Sequence, residues 1–460
     1  MSQTTTPRPS TSGSAAGSEG TGTQQGTAPK PASGSPTAGA PTLAGRLDEA
    51  TSFARRAMSG TPGRMRVLAL LTIAVSLIFA VTAFSTFGAT DDALRRGGEN
   101  TAQLVRIQAI HTNLVRADAD ATNAFLVGGL EPADQRADFT ASLAQASRLI
   151  AEAARAQPAD GPALGALNSS VLSYASLIEQ ARATNRQAMP VGAQYLRLAS
   201  SGLRSDALPI LDALVKANDS RVSAEFDGAT RSAPLIALGV LALLVLIGGM
   251  VWLSLRTHRY LNAPLAAATA AVLVTLVVGS IALAAVASRV GEVRDGSYAA
   301  TLATATARIA AFDAKSNESL TLIARGSGSA FEKAWKASSE VVTAQSVTSA
   351  GLSEDAANMG ALWATYVKTH EQIRTADDGG QWEGAVKQAI GSDATSANAT
   401  FDAFDANSGA ALTSTSQAAS DSLAAPRTWL SIAAWLGLLA GIAAAVSAWW
   451  GVSLRLEEYR

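Results

Sequence analysis

Four runs of the chain contain no charged residue and no histidine, and each is long enough to cross a bilayer: 67–88, 235–255, 265–287 and 429–454. A spanning helix takes about 20 predominantly apolar residues. Hydrocarbon offers no partner for backbone N–H and C=O groups, so a continuous apolar run of this length must satisfy them internally as a helix. The chain is therefore expected to be an all-α membrane protein with four transmembrane helices. The first run begins far from the N-terminus and no small-residue cleavage site follows it, so it reads as a retained span rather than a signal peptide.

The spans leave two long polar segments, 89–234 and 288–428, on one side of the membrane. The N-terminal region, the loop 256–264 and the tail 455–460 fall on the other. The termini and loop carry a net charge of +6 and the two long segments −7. The positive-inside rule then predicts a multi-pass protein of the plasma membrane, with both termini cytoplasmic and both long segments exported. Charged groups at membrane depth usually mark ion pathways and proton relays. Their absence argues against a channel or secondary transporter. With 48% hydrophobic but only 5% aromatic residues, the rest of the chain reads as Ala-rich, modestly amphipathic helix. A net charge of −1 gives no field that would recruit nucleic acid. The lack of cysteine excludes disulfides, thiolate metal sites and cysteine catalysis.

The two halves repeat one another. Ser254-Leu255-Arg256 with Tyr260 recurs as Ser453-Leu454-Arg455 with Tyr459. Tyr174, Glu179, Gln180 and Arg182 recur at constant offset as Tyr366, Glu371, Gln372 and Arg374, and Ala233-Pro234 as Ala425-Pro426. Several short matches in one order indicate an internal duplication of a unit made of span, exported domain, span and stub. Leu104, Ile107, His111, Leu114 and Val115 keep helical spacing. Gly/Pro clusters then predict helices near 90–127, 132–157, 162–188 and 193–233, with a break near 200–209. The second segment is expected to break at 325–329, 349–353, 376–380 and 391–398. Each exported segment thus reads as a four-helix bundle whose outer helices run into the flanking spans. Residues 1–42, rich in Ser, Thr, Gly and Pro, read as a disordered tail. Residues 43–66 read as an amphipathic juxtamembrane helix on the inner leaflet, with Arg46, Arg55 and Arg56 toward lipid headgroups.

Motifs for chemistry are scarce. His370-Glu371-Gln372-Ile373-Arg374 starts like a zinc-protease helix, but Arg374 stands where the second histidine must be. Gly326-Ser327-Gly328 lacks the Lys-Ser/Thr of a phosphate loop and reads as a turn. No catalytic, metal-binding or cofactor-binding residue is expected, and the chain is not expected to be an enzyme. Candidate ligand or partner surfaces are the polar group Arg116, Asp118, Asp120 and Asn123, where Arg116 suits a ligand carboxylate, and the repeated Tyr174, Glu179, Arg182 and Tyr366, Glu371, Arg374. The plainer readings are a solvated helix face for the first group, and packing plus an i,i+3 ion pair for the second. Arg256, Tyr260, Arg455 and Tyr459 are candidate cytoplasmic output residues, or simply interfacial anchors.

This tail, span, exported helical domain, span and Arg-containing stub, given twice, resembles the actinobacterial GlnX-type membrane proteins over 43–460. Each exported domain also resembles the four-helix-bundle sensor domain of bacterial chemoreceptors. The resemblance implies amino-acid sensing, with glutamate or aspartate bound by an extracytoplasmic solute-binding lipoprotein (GlnH) and the signal passed to a cytoplasmic Ser/Thr protein kinase (protein kinase G). No cofactor is implied; membrane lipid is a partner, and a homodimer is left open. Two other classes compete: a direct small-molecule sensor, and an accessory membrane subunit of an ABC-type machine.

Overall fold

A computed structural model describes residues 61–127, 131–257 and 262–457, and among them every regular element is a helix. The expected tail 1–42, most of the juxtamembrane helix 43–66, and Tyr260 and Tyr459 lie outside the described residues. In chain order the helices are α1 (Thr61–Val127), α2 (Ala133–Ala156), α3 (Gly161–Arg186), α4 (Val191–Gly202), α5 (Leu208–Ala229), α6 (Ala233–Thr257) and α7 (Ala263–Val293). The second half continues with α8 (Ala299–Ile323), α9 (Ser329–Leu352), α10 (Met359–Asp378), α11 (Trp382–Ile390), α12 (Ala397–Ala424) and α13 (Arg427–Glu457).

Breaks fall where the local chemistry demands them. Gly161 and Pro162 open α3, with proline near the helix start, where its missing N–H costs nothing. Ser396 caps α12 through its hydroxyl, which accepts from the Ala399 N–H at 3.2 Å. Gly326 and Gly380 turn the chain with positive φ, at 83° and 77°. One expected break is not a break, and another falls at the end of its expected range. Across Leu203–Ala207 the chain widens into a π turn joining α4 to α5, so the helix continues with one residue inserted. Ser349 to Leu352 stay helical, and the turn comes after them. At the place equivalent to the first π turn, the second half has a loop between α11 and α12, so the repeats diverge there.

The four apolar runs lie in α1, α6, α7 and α13, each part of a helix long and apolar enough to cross a membrane. Their outward faces carry exposed Leu, Ile and Val, such as Leu70, Leu244, Ile281 and Leu439, as a lipid-facing surface requires. Exposed Trp429 and Trp449 mark the two ends of α13, about 30 Å apart at ~1.5 Å per residue, matching the hydrocarbon thickness and the interfacial preference of tryptophan. Between the apolar helices, small residues replace large ones. A Cβ added at Gly441 would sit 2.7 Å from the Ala80 Cα, and one at Gly437 would sit 3.0 Å from the Ala83 Cβ. Glycines four apart let α1 and α13 approach to backbone contact, where dispersion holds them together.

The way each span joins its polar domain is asymmetric. On the incoming side α1 is unbroken through 67 residues, and α7 runs into α8 through a second π turn at Arg294–Tyr298. The outgoing helices were expected to be continuous and are not. Residues 230–232 separate α5 from α6, and residues 425–426 separate α12 from α13. The cause is Pro234 and Pro426, which lack an N–H for the preceding turn and crowd its carbonyl.

The two bundles share their interior. Leu320 of α8 lies in the hydrophobic core formed by α1 to α5, with Ile323 and Phe331 packed against it. In return Val115, Ala119 and Leu126 of α1 lie in the core formed by α8 to α12. Upper α1 and α8 therefore run side by side at the centre, and α8 is buried nearly all round from Ala300 to Leu322.

Candidate functional site

At the centre of that junction stands Asp118, 1% exposed. Its Oδ1 accepts from the Ser200 hydroxyl at 2.6 Å and the Tyr174 hydroxyl at 3.3 Å. Its Oδ2 accepts from the Ser316 hydroxyl at 2.6 Å and faces Arg204 Nη1 at 3.2 Å. Arg204 projects from the first π turn and also pairs with Asp313 of α8 at 2.8 Å. Burial works to lower the Arg204 pKa, but Asp118 and Asp313 outweigh it and raise it. One carboxylate thus joins α3, α4, the π turn and α8. Burial, with Asp118 beside it, lifts the Tyr174 phenol well above its ordinary value, so it stays a donor.

The second bundle repeats the device with a different acid. Tyr366 donates to Glu318 Oε2 at 3.1 Å, Lys315 pairs with Oε1 at 2.8 Å, and His370 Nδ1 lies 2.9 Å from Oε2. Burial alone would raise the Glu318 pKa; Lys315 and His370 instead pull it to about 2. His370 stacks on Trp335 with centroids 3.6 Å apart, and its Nε2 reaches Glu332 at 3.2 Å. Burial opposes its charge, yet the two carboxylates raise its pKa and favour the imidazolium. Arg374, one turn on, faces the same Glu332 at 3.6 Å. The zinc-like His–Glu–x–x–Arg sequence is thus a two-cation clamp on one carboxylate, and no cluster among the described residues has the arrangement to hold a metal ion.

The repeated tyrosines are therefore not surface residues: both are buried, each bonding to an acid on the central helix of its bundle. Arg182 forms the expected pair with Glu179 at 2.7 Å, pairs also with Glu131 at 2.8 Å, and lies over the Phe139 ring. The cavity beside Arg182 is about 50 Å³, room for water rather than an amino acid. The pair expected between Glu371 and Arg374 does not form. Arg374 turns to Asp377 at 2.6 Å and Asp378 at 2.5 Å, because the C-terminal acids of α10 lie closer to its guanidinium, and Glu371 stays exposed.

The Arg116 group is divided. Asp118 belongs to the buried hub, whereas Arg116, Asp120 and Asn123 line a cavity of about 400 Å³ between the bundles. Its walls come from α1, α2, α8 and α12 and include Asp134, Asp138, Asp402 and Asp405. Arg116, expected to suit a ligand carboxylate, pairs with Asp405 at 2.5 Å, which Arg308 of α8 also holds at 2.6 Å. Burial pushes the Asp120 carboxyl up to about 7, Arg116 opposing and Asp138, Asp402 and Asp405 adding to the rise. The acids on α2 and α12 carried no signal in the sequence, because they stand as ordinary surface carboxylates until the two bundles meet.

At the other end of the molecule, Arg256 is exposed and Arg455 partly so. Between them Asn262 caps α7 and donates its amide to the Gly451 carbonyl at 2.6 Å, tying the short loop to the end of α13. That contact, absent from the expected output residues, joins the short loop to α13.

No curated protein and no solved structure matches the chain. Residues 93–227 match the family model of the actinobacterial sensor domain, from the upper part of α1 to the end of α5. The match supports a sensor protein of actinobacterial type, with a sensing role for the bundle whose hub is Asp118.

Proposed function

We propose that the protein is a non-enzymatic transmembrane signal transducer. In this reading the polar half lies outside the plasma membrane, the termini lie in the cytoplasm, and an extracytoplasmic signal biases a two-state packing of the bundles. The observation that carries it is α1, one unbroken 67-residue helix that contains both an apolar span and the start of the sensor-domain match. A ligand moves such an equilibrium only by its difference in affinity for the two states. The incoming helices α1 and α7–α8 are the rods of this relay, since the outgoing ones are interrupted at Pro234 and Pro426. Output then belongs to the segment preceding α1 and to the loop before α7, with Asn262 coupling that loop to α13. Arg256 and Arg455 flank this region, and Tyr260 and Tyr459 extend it. The partners proposed are an exported solute-binding lipoprotein carrying glutamate or aspartate and a cytoplasmic Ser/Thr kinase, as the resemblance to GlnX-type proteins implies. The charge division of +6 against −7 supports the orientation.

The test inserts Gly-Ser-Gly-Ser after Gly88, between span and sensor segment, in cells where amino-acid-dependent kinase phosphorylation is measured. The relay predicts a lost response with normal membrane insertion. An unchanged response means the rod carries no signal. A second reading, direct sensing of a small molecule by this chain, is favoured by the cavity between the bundles.

A further inference from the structure

The 400 Å³ cavity at the bundle junction falls in the usual size range of small-molecule sites. Its wall chemistry is one-sided. Asp120 Oδ2, Asn123 Oδ1 and Gln135 Oε1 are shut off from solvent and have no hydrogen-bond partner. All three are acceptors, and an unmet buried acceptor is costly. The two cations on the wall are already committed, Arg116 to Asp405 and Lys315 to Glu318. Asp134, Asp138 and Asp402 form no ion pair across the cavity. The site therefore has unmet acceptors and more negative than positive charge on its wall. Phe401 adds aromatic surface beside these acids, while the Phe312 ring already carries the Arg116 guanidinium, 4.7 Å from its centroid.

We propose that this cavity binds a small organic cation with several N–H donors, an amine or guanidinium, directly on this chain. Such a ligand would neutralise the acids and span α1 and α2 of one bundle and α8 and α12 of the other. A ligand seated there bears on the packing between the two central helices, the element a sensor has to bias. The proposal names the ligand class for the direct-sensing reading, and binding to purified protein tests it independently of any relay.

The charged groups on the cavity wall around Asp120 are Arg116 on its own helix, Asp134 and Asp138 on α2, Lys315 on α8, and Asp402 and Asp405 on α12. A bound cation favours the carboxylate form of Asp120, which titrates near 7. Affinity therefore rises between pH 6 and pH 8, with release of a proton on binding below pH 7.

The experiment titrates agmatine and spermidine, with L-glutamate as the opposite-charge probe, into the full-length chain in nanodiscs of neutral lipid by calorimetry. One of the two amines is expected to bind saturably, and glutamate not at all. Asp120→Asn is expected to weaken binding at least tenfold and to abolish its pH dependence. Asp138→Asn and Asp402→Asn, at exposed wall positions, keep the fold and are each expected to weaken binding severalfold. Absence of saturable amine binding overturns the proposal, as does amine binding of equal strength in all three variants. Glutamate binding abolished by Arg116→Gln overturns it in favour of an anion site.

Discussion

Replacing Asp118 by alanine leaves Arg204 facing the bundle interior with one carboxylate instead of two, and leaves Ser200 and Ser316 without their acceptor. Removing one partner of a buried pair typically costs about 3–5 kcal/mol. Because Arg204 keeps Asp313, the lower end of that range is expected, read as a fall in unfolding midpoint in detergent. His370 gives a prediction in pH. Its pKa is raised in the folded state, so its contribution is complete below the ordinary histidine value of about 6.5 and is lost as pH rises through the folded value. Glu318, lowered to about 2, contributes fully above the ordinary value of about 4.3 and loses that as pH falls. The cluster is thus strongest between these limits. The stability gap between wild type and His370→Gln is expected to shrink from pH 6.5 to pH 9; a gap constant over that range means that the imidazolium charge is not what holds it.

At the scale of elements, the contact between α1 and α13 depends on having no side chain at Gly441, since the Ala80 backbone occupies that space. Gly441→Leu is expected to force the helices apart and to lower the thermal midpoint strongly. Leu436→Ala, exposed five residues away on the same helix, is expected to change it little. Equal effects of the two would mean that α1 and α13 are not packed through the glycines. The helix ends show what local sequence can encode. Gly161-Pro162, Gly326 and Gly380 announced their turns because backbone conformation depends on the residue itself. The π turn at Leu203–Ala207 did not announce itself, because its ordinary residues reveal nothing of the inserted one until Arg204 is drawn toward Asp118 and Asp313.

For the whole molecule, the exchange of core residues between bundles has a thermodynamic consequence. Isolated 89–230 lacks Leu320, Ile323 and Phe331 from its core and Ser316 from its hub. It is expected to remain helical by circular dichroism but to melt at lower temperature, and over a broader range, than the full chain. A fragment as stable as the whole would show that the bundles fold independently. Orientation is checked by cysteine, since the chain has none of its own. Single cysteines at Ser169 and Ser353 are both expected to react with an impermeant maleimide in intact wall-stripped cells; protection of both until lysis reverses the topology.

The sequence by itself determined the spans, the duplication and the all-α fold, because hydrocarbon solvation and helical periodicity act on contiguous residues. Most helix limits were legible for the same reason. The site was legible only in part. Arg116, Asp118, Asp120 and Asn123 could be singled out as a polar group on one helix, but their separate destinations could not. Asp118 is buried because Tyr174, Ser200, Arg204 and Ser316 reach it from four other places in the chain. Arg116 is not a solvated surface cation because Asp405, 289 residues away, pairs with it. Only tertiary structure decided these roles: whether a charged side chain is a solvated surface group, a structural hub or part of a cavity wall depends on which distant groups replace its water.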